Sequence, residues 1–359
     1  MHDYLNQFGG AERVVLELSR IWPAAPIYTS LYRRASTFPE YGAREIRTSF
    51  LDRLPVDERF RSLAPLYPAA FRSLGTLEHD IVISSSSGWS HGVRTGPRSV
   101  HIVYCYAPAR WLYGHAPDHS PPPVPRAARG VMAVLRRWDR QAARRADAYI
   151  AISANVRDRI RRAYGIEADV VYPPVETDRF RPRPRGERML VVSRLVPYKR
   201  IDLAVRAATS AGVGLDVVGI GPELDRLRRM AGPTVTFHGR PDDATVTALM
   251  ERARTVCVPA AEDFGLVPVE ANAAGKPVVA FAAGGATETV TDGVTGILYR
   301  EQSPEGLLDA WRRADEIDTS PMDLARAAEF FSPAAFRRRF LAAVGRAMRR
   351  SRPNAVWAA

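Results

Sequence analysis

Residues 255–281 read TVCVPAAEDFGLVPVEANAAGKPVVAF. The two ends of this stretch, 255–259 and 277–281, are short β-branched runs of the kind that a parallel sheet buries on both faces. Between them Pro268 suits the first turn of a helix and Gly275 its end. The stretch is a strand, a loop, a helix and a second strand. Seven more runs of the same kind, at 26–31, 80–84, 100–106, 147–153, 189–193, 215–219 and 235–239, alternate with helix-periodic segments along the chain. Such alternation predicts an α/β protein built on parallel sheets. Apolar stripes at Val14, Val15, Leu18, Ile21 and Trp22, and at Val131, Leu135 and Trp138, are expected in the core.

From 172–174 through 181–186 the chain is stiff, basic and without apolar periodicity, which reads as an interdomain linker. Three segments follow: an N-terminal Rossmann-like domain over 1–175, a C-terminal one over 176–330, and a helix within 331–359. Phe336, Phe340, Leu341 and Val344 give that helix an apolar side to pack back on the first domain. The proline cluster 121–125 is expected to form an extended surface loop. Only eight residues precede Gly9-Gly10, so the first strand of the N-terminal domain is expected to be a stub or missing, and translation is expected to begin upstream of Met1.

The 359 residues, 46% hydrophobic and 25% charged, are enough for two domains and exclude a disordered or fibrous chain. Neither an apolar run of about 18 residues nor a signal-like leader occurs, which predicts a cytoplasmic protein. Cys105 and Cys257 sit in apolar runs and read as core thiols. The formal charge of +12 invites a nucleic-acid or anionic-lipid partner. Of 51 basic residues, however, all but Lys199 and Lys276 are arginine, a skew that points to coding bias rather than a built surface. No nucleic-acid partner is expected. Arg129, Arg136, Arg140 and Arg144 lie along one side of a helix and could meet an anionic bilayer peripherally.

The chemistry concentrates in the opening stretch. Glu262 falls in the strand-to-helix loop and Glu270 in the first helical turns, both at the carboxyl edge of the sheet, where open α/β domains bind ligands. An ionised carboxylate accepts two hydroxyl donors at once, which suits a vicinal diol on a ribose or hexose. The backbone amides of Phe264, Gly265 and Leu266, at the positive end of the helix, suit phosphate. A second focus is Ser193-Arg194-Leu195-Val196-Pro197-Tyr198-Lys199, where two cations converge ahead of another helix. They can hold a diphosphate and absorb the charge that develops as its bond to a sugar breaks. Lys276, after Gly275, is expected at the helix C-terminus.

Gly9-Gly10 before Ala11-Glu12-Arg13 lets a phosphate or sugar approach the backbone closely. Gly284-Gly285, ahead of Ala286-Thr287-Glu288, repeats that pattern or makes a tight turn. Gly219-Ile220-Gly221-Pro222 lacks the third glycine of a dinucleotide loop, and no Walker A sequence occurs, which excludes dehydrogenase and ATPase readings. Ser84, Ser85, Ser86 and Ser87 follow a strand without a nucleophile-elbow context and read as a polar loop. His115, Asp118 and His119 have metal-ligand spacing, but adjoining prolines favour a surface loop.

In order along the chain, Gly9-Gly10-Ala11-Glu12-Arg13, Arg194 with Lys199, Glu262 to Glu270, Gly284-Gly285 with Glu288, and Gly293-Val294-Thr295-Gly296 resemble the landmarks of the family 4 retaining glycosyltransferases. That resemblance implies the GT-B fold, two Rossmann-like domains facing across a cleft. It implies that Arg194 and Lys199 bind the donor diphosphate, that Glu270 binds the ribose, and that Glu262 holds hydroxyls of the transferred sugar. The Phe264, Gly265 and Leu266 amides would add contacts to sugar and phosphate, and Gly9 and Gly10 would border the phosphate from the other side.

Residues 101–113 resemble the acceptor-side strand and loop of the mannosyltransferase-like branch, with Tyr106 and Arg110 on the acceptor side. Many members carry histidine where this chain has Tyr106; a phenol with a reference pKa near ~10 hydrogen-bonds a hydroxyl but is a poor base. In the family a donor phosphate oxygen takes the acceptor proton during same-face attack, and no enzyme nucleophile is needed. No Asp-x-Asp pair is present to hold a divalent ion, so neither metal nor cofactor is expected. The reading is a metal-independent transfer of a hexose, mannose from GDP-mannose being the leading choice, to a hydroxyl acceptor that is lipid-linked or a small glycoside. The rival is a catalytically silent protein of the same fold that binds a nucleotide sugar or an anionic polymer.

Overall fold

The computed structural model describes residues 1–55, 60–114 and 126–352. The chain divides into two compact units, one comprising Met1–Pro173 with the chain from Phe336 onward, the other Pro174–Ala335. The proline cluster 121–125 and His115, Asp118 and His119 lie outside the described residues.

In the first unit the strands are β1 (Ile27–Thr29), β2 (Ile46–Thr48), β3 (Thr76–Leu77), β4 (Ile81–Ser86), β5 (Arg94–Thr95), β6 (Val100–Cys105), β7 (Ala148–Ala151) and β8 (Ala168–Val170). β4, β6, β7 and β8 pair in that order, all parallel, β1 pairs with β2, and β3 with β5. The first strand is a stub. His2 bridges Thr29 on one side and Ser85 on the other, with His2 N–H donating to Tyr28 O at 2.9 Å and Ser85 N–H to Met1 O at 3.0 Å. These few residues join β1 to β4, and Asp3 fixes the turn beyond: its buried carboxylate accepts from the backbone N–H groups of Ser87, Trp89 and Ser90.

The serines at the end of β4 are strand rather than the loop expected from sequence. Ser84, Ser85 and Ser86 are buried because each hydroxyl has a partner: Ser84 donates to Ser90 O, Ser85 meets Tyr106 Oη, and Ser86 meets His91 Nδ1. The helix Arg126–Ala143 corrects a second expectation, since Leu135 is buried but Val131 is 47% exposed. Its inner face includes Asp139, whose carboxylate is tolerated there because His91 Nε2 lies 3.1 Å away and Tyr113 Oη donates at 2.8 Å. Arg136 and Arg140 each donate through Nε to a neighbouring carbonyl, Leu112 O and Ala163 O.

The helix Pro333–Ser351 packs on the first unit through Phe336 and Phe340, both against Tyr104, while Phe340 also meets Trp22. Val344 is buried on that side as expected, but Leu341 is 46% exposed, and Ala343 and Ala347 are buried instead.

The second unit holds one six-stranded parallel sheet of β9 (Met189–Val192), β10 (Leu215–Val218), β11 (Val235–Gly239), β12 (Thr255–Val258), β13 (Val278–Phe281) and β14 (Gly296–Tyr299). The spatial order is β11-β10-β9-β12-β13-β14. Helices Ile201–Ala211 and Pro304–Arg313 cover it through Leu203, Val205, Leu307 and Trp311, packed on Met189, Val191, Val217 and Val279. In both units the strand order reverses at the first strand, the stub in one and β9 in the other.

Candidate functional site

In a doubly wound sheet the crevice opens where the order reverses, because helices from the two neighbouring strands leave on opposite faces. In the second unit that point lies between β9 and β12. The loop leaving β9 carries Arg194 and Lys199; the loop and helix after β12, the latter Leu266–Ala273, carry Glu262 and Glu270. The Lys199 ammonium is ion-paired with the Glu262 carboxylate, both side chains being mostly buried. Arg194 is exposed and donates to Tyr198 Oη at 2.8 Å, and Lys199 Nζ lies 5.5 Å from the centre of the same ring. Tyr198 thus organises both cations.

Glu270 follows one helical turn into Leu266–Ala273, with its Oε1 3.9 Å from a terminal nitrogen of Arg179. Arg179, a linker residue missed by the sequence reading, also lies 3.8 Å from Asp243 and stacks over Phe180 at 4.5 Å. The Phe264 side chain is buried against Phe331, so what it offers a ligand is backbone. Gly265 caps the helix with φ 88°, ahead of Leu266, and no side chain caps that end.

Two glycine motifs back these loops. Gly285 N–H donates to Glu262 O at 2.7 Å, and a Cβ there would lie 2.2 Å from Phe264 O. At Gly219 a Cβ would lie 1.8 Å from Ser193 O. The Gly219-x-Gly221 sequence that fails as a dinucleotide loop is therefore what lets β10 press against the Arg194 loop. Arg200, directly after Lys199, has φ 52°, a left-handed conformation that costs a side-chain-bearing residue on the order of 1–3 kcal/mol.

Lys276 corrects the sequence reading. It is fully buried, and its ammonium donates to Arg183 O at 2.8 Å and to Pro184 O. It holds the linker, not the helix end. Burial lowers its pKa to about 8.

In the first unit Gly9 is the extended N-cap of the helix Gly10–Ile21, following the stub as Arg194 follows β9. Tyr106, at the end of β6, is brought to this helix: its hydroxyl donates to Ala11 O at 3.1 Å and lies 2.8 Å from Ser85 Oγ. Burial raises the Tyr106 pKa well above the ordinary phenol value. Arg110 opens the short helix Arg110–Tyr113 and is half-buried. Among the described residues no cluster of three or more His, Cys, Asp or Glu could hold a metal, and no helix is long and apolar enough to cross a membrane.

Residues 8–179 match the family model described as Glycosyltransferase Family 4, and residues 176–329 that described as Glycosyl transferases group 1. A GDP-mannose-dependent alpha-(1-6)-phosphatidylinositol monomannoside mannosyltransferase of Mycobacterium tuberculosis is 36% identical over 197 residues, 46% of this chain and 51% of the relative. A D-inositol 3-phosphate glycosyltransferase of Mycobacterium leprae is 37% identical over 163 residues, 39% of this chain and 38% of the relative. The chain thus spans about half the length of these relatives or less. Among solved structures, Anabaena Alr3699/HepE in complex with UDP and glucose superposes with a TM-score of 0.72 at 20% identity, covering 96% of this chain and 99% of that one. Sucrose-phosphate synthase of Thermosynechococcus elongatus gives 0.71 at 19% identity, covering 93% and 91%.

Proposed function

Since the chain belongs to the family 4 glycosyltransferases with the GT-B fold, we propose that it transfers a hexose from a nucleotide diphosphate sugar to a hydroxyl acceptor with retention of configuration. The observation that carries this reading is the Lys199–Glu262 ion pair across the reversal point of the second sheet. A donor diphosphate competes with Glu262 for the ammonium, and the carboxylate it displaces becomes an acceptor for hydroxyls of the sugar. Binding thus exchanges one protein contact for two to the ligand, with Arg194 beside the same phosphates and Glu270 on the ribose. The backbone amides of Phe264, Gly265 and Leu266 add donors at the helix head. With two fixed cations in place to stabilise the leaving diphosphate, the reaction needs no divalent ion.

The Tyr106 hydroxyl is committed to Ala11 O and Ser85 Oγ, and its raised pKa makes it no base. The acceptor proton therefore goes to a donor phosphate oxygen, while Arg110 orients the acceptor. Mannose from GDP-mannose is the donor we favour, supported by the GDP-mannose dependence for which the 36% identical mycobacterial relative is named. The acceptor is lipid-linked or a small glycoside, and a protein acting on the former would work at an anionic membrane face from the cytoplasm.

A thermal-shift screen against UDP-, GDP-, ADP- and dTDP-sugars tests the reading. A ligand at 100 times its Kd adds about 2.7 kcal/mol of apparent stability. One family of donors should raise the midpoint by several degrees, and Lys199→Ala and Glu270→Ala should lose that shift. No shift with any donor defeats the proposal. The committed Tyr106 hydroxyl favours one second reading, a silent nucleotide-sugar or anionic-polymer binder of the same fold. Donor that binds without being hydrolysed or transferred selects it.

A further inference from the structure

Lys199 leads directly into Arg200, which among the described residues is the one non-glycine in the left-handed region. Glycine adopts that conformation without steric cost, so an arginine there asks for a reason in its side chain. Arg200 Nε donates to Asp202 Oδ1 at 3.2 Å, and a terminal nitrogen donates to Gln302 Oε1 at 3.3 Å. The Gln302 amide in turn donates to Pro259 O at 3.0 Å. Pro259 follows β12 directly and stands three residues before Glu262.

The loop after β9 is thus tied to the loop after β12 twice, once through Lys199 and Glu262 and once through Arg200, Gln302 and Pro259. The two ties respond differently to a ligand. A diphosphate that takes the Lys199 ammonium breaks the first; the second contains no group that must change partner.

We infer that Arg200 is a positioning residue: its left-handed backbone and the strap to Gln302 and Pro259 hold Lys199 in place while the ammonium turns from Glu262 to the donor diphosphate. This rests on the reading of Lys199 as a diphosphate ligand. Arg200→Gly keeps the turn and deletes the strap, whereas Gln302→Ala cuts the strap from its far side and leaves Arg200 in place.

Titration calorimetry with GDP and UDP on the full chain, on both variants, on the double variant and on Lys199→Ala tests it. Each single variant should bind its better diphosphate about tenfold more weakly, the order of one charge-assisted hydrogen bond. The double variant should bind no more weakly than the weaker single, because the two changes cut one strap. A purely structural role would instead lower the melting midpoint and leave Kd unchanged. Losses that multiply in the double variant, or binding within twofold of the parent in Arg200→Gly and Gln302→Ala while Lys199→Ala is impaired, overturn this inference alone. An unimpaired Lys199→Ala overturns the diphosphate reading and the inference with it.

Discussion

Gly285 has no room for a methyl group. Its Cβ would fall 2.2 Å from the Phe264 carbonyl oxygen, so Gly285→Ala must push the Glu262 to Leu266 loop outward. Donor affinity should fall at least tenfold, since near-complete misplacement of one charged contact is worth ~1.5–3 kcal/mol; calorimetry showing parental affinity would refute this. Lys276 acts on stability instead. Lys276→Met leaves the Arg183 and Pro184 carbonyls without their donor, at a cost of about 1–3 kcal/mol in urea unfolding.

The pH dependence of Lys276 has a definite sign. Its folded pKa of about 8 lies below the ordinary 10.5, so between those values the unfolded chain holds more protons and stability rises with pH. The parent should therefore gain on Lys276→Met between pH 8 and 10.5, and a constant difference would contradict the assignment. At this scale Lys199, Glu262 and Glu270 were legible because each stands at a fixed offset from a strand or helix end. Arg179, Arg200 and Gln302 were not: their partners lie far away in sequence, and a left-handed φ at arginine leaves no compositional trace.

At the scale of elements, the helix Pro333–Ser351 is fastened by one ring more than any other. Phe340 is fully buried, with ring centres of Phe336, Tyr104 and Trp22 at 5.2, 5.4 and 6.3 Å. Phe340→Ala should cost about 3–5 kcal/mol by cavity formation. Leu341→Ala, on the exposed side, should stay within about 0.5 kcal/mol. Equal effects on urea midpoints would mean that the helix is not held this way.

The nine strands expected from apolar runs all occur, most of them because a strand buried on both faces must be apolar; β11 occurs although none of its residues is fully buried. β2, β3, β5, β8 and β14 escaped notice for different reasons, β3 and β5 being only two residues each. β2 and β8 are only three residues long and contain Arg47 and Asp169, while β14 directly follows the turn at Gly293-Val294-Thr295. The stripe at Val131 misled because periodicity shows that a face is apolar, not that a neighbour covers it. Asp139 was invisible as core since only its partners, His91 and Tyr113, make a carboxylate acceptable there.

At the scale of the whole molecule, acid should unfold the protein through buried imidazole before its surface charges matter. His101 is buried beside Ser84, and desolvation lowers its pKa to about 3 from 6.5. The unfolded chain takes up that proton first, so stability falls as pH drops from about 6.5 towards 3. His101→Gln, which keeps a donor for Ser84 Oγ, should flatten this dependence; an unchanged slope would assign the acid lability elsewhere. The basic excess of the chain predicted neither the fold nor the site, since arginines such as Arg136 and Arg140 also brace neighbouring carbonyls through Nε.

The complete enclosure of Lys276 has a practical result for chemical labelling. An acylating or reductively alkylating reagent meets two lysine amines in this sequence, and one is sealed behind the linker. Covalent mass gain on a lysine should therefore map to Lys199, and the rate of that modification becomes a direct gauge of whether a nucleotide shields it.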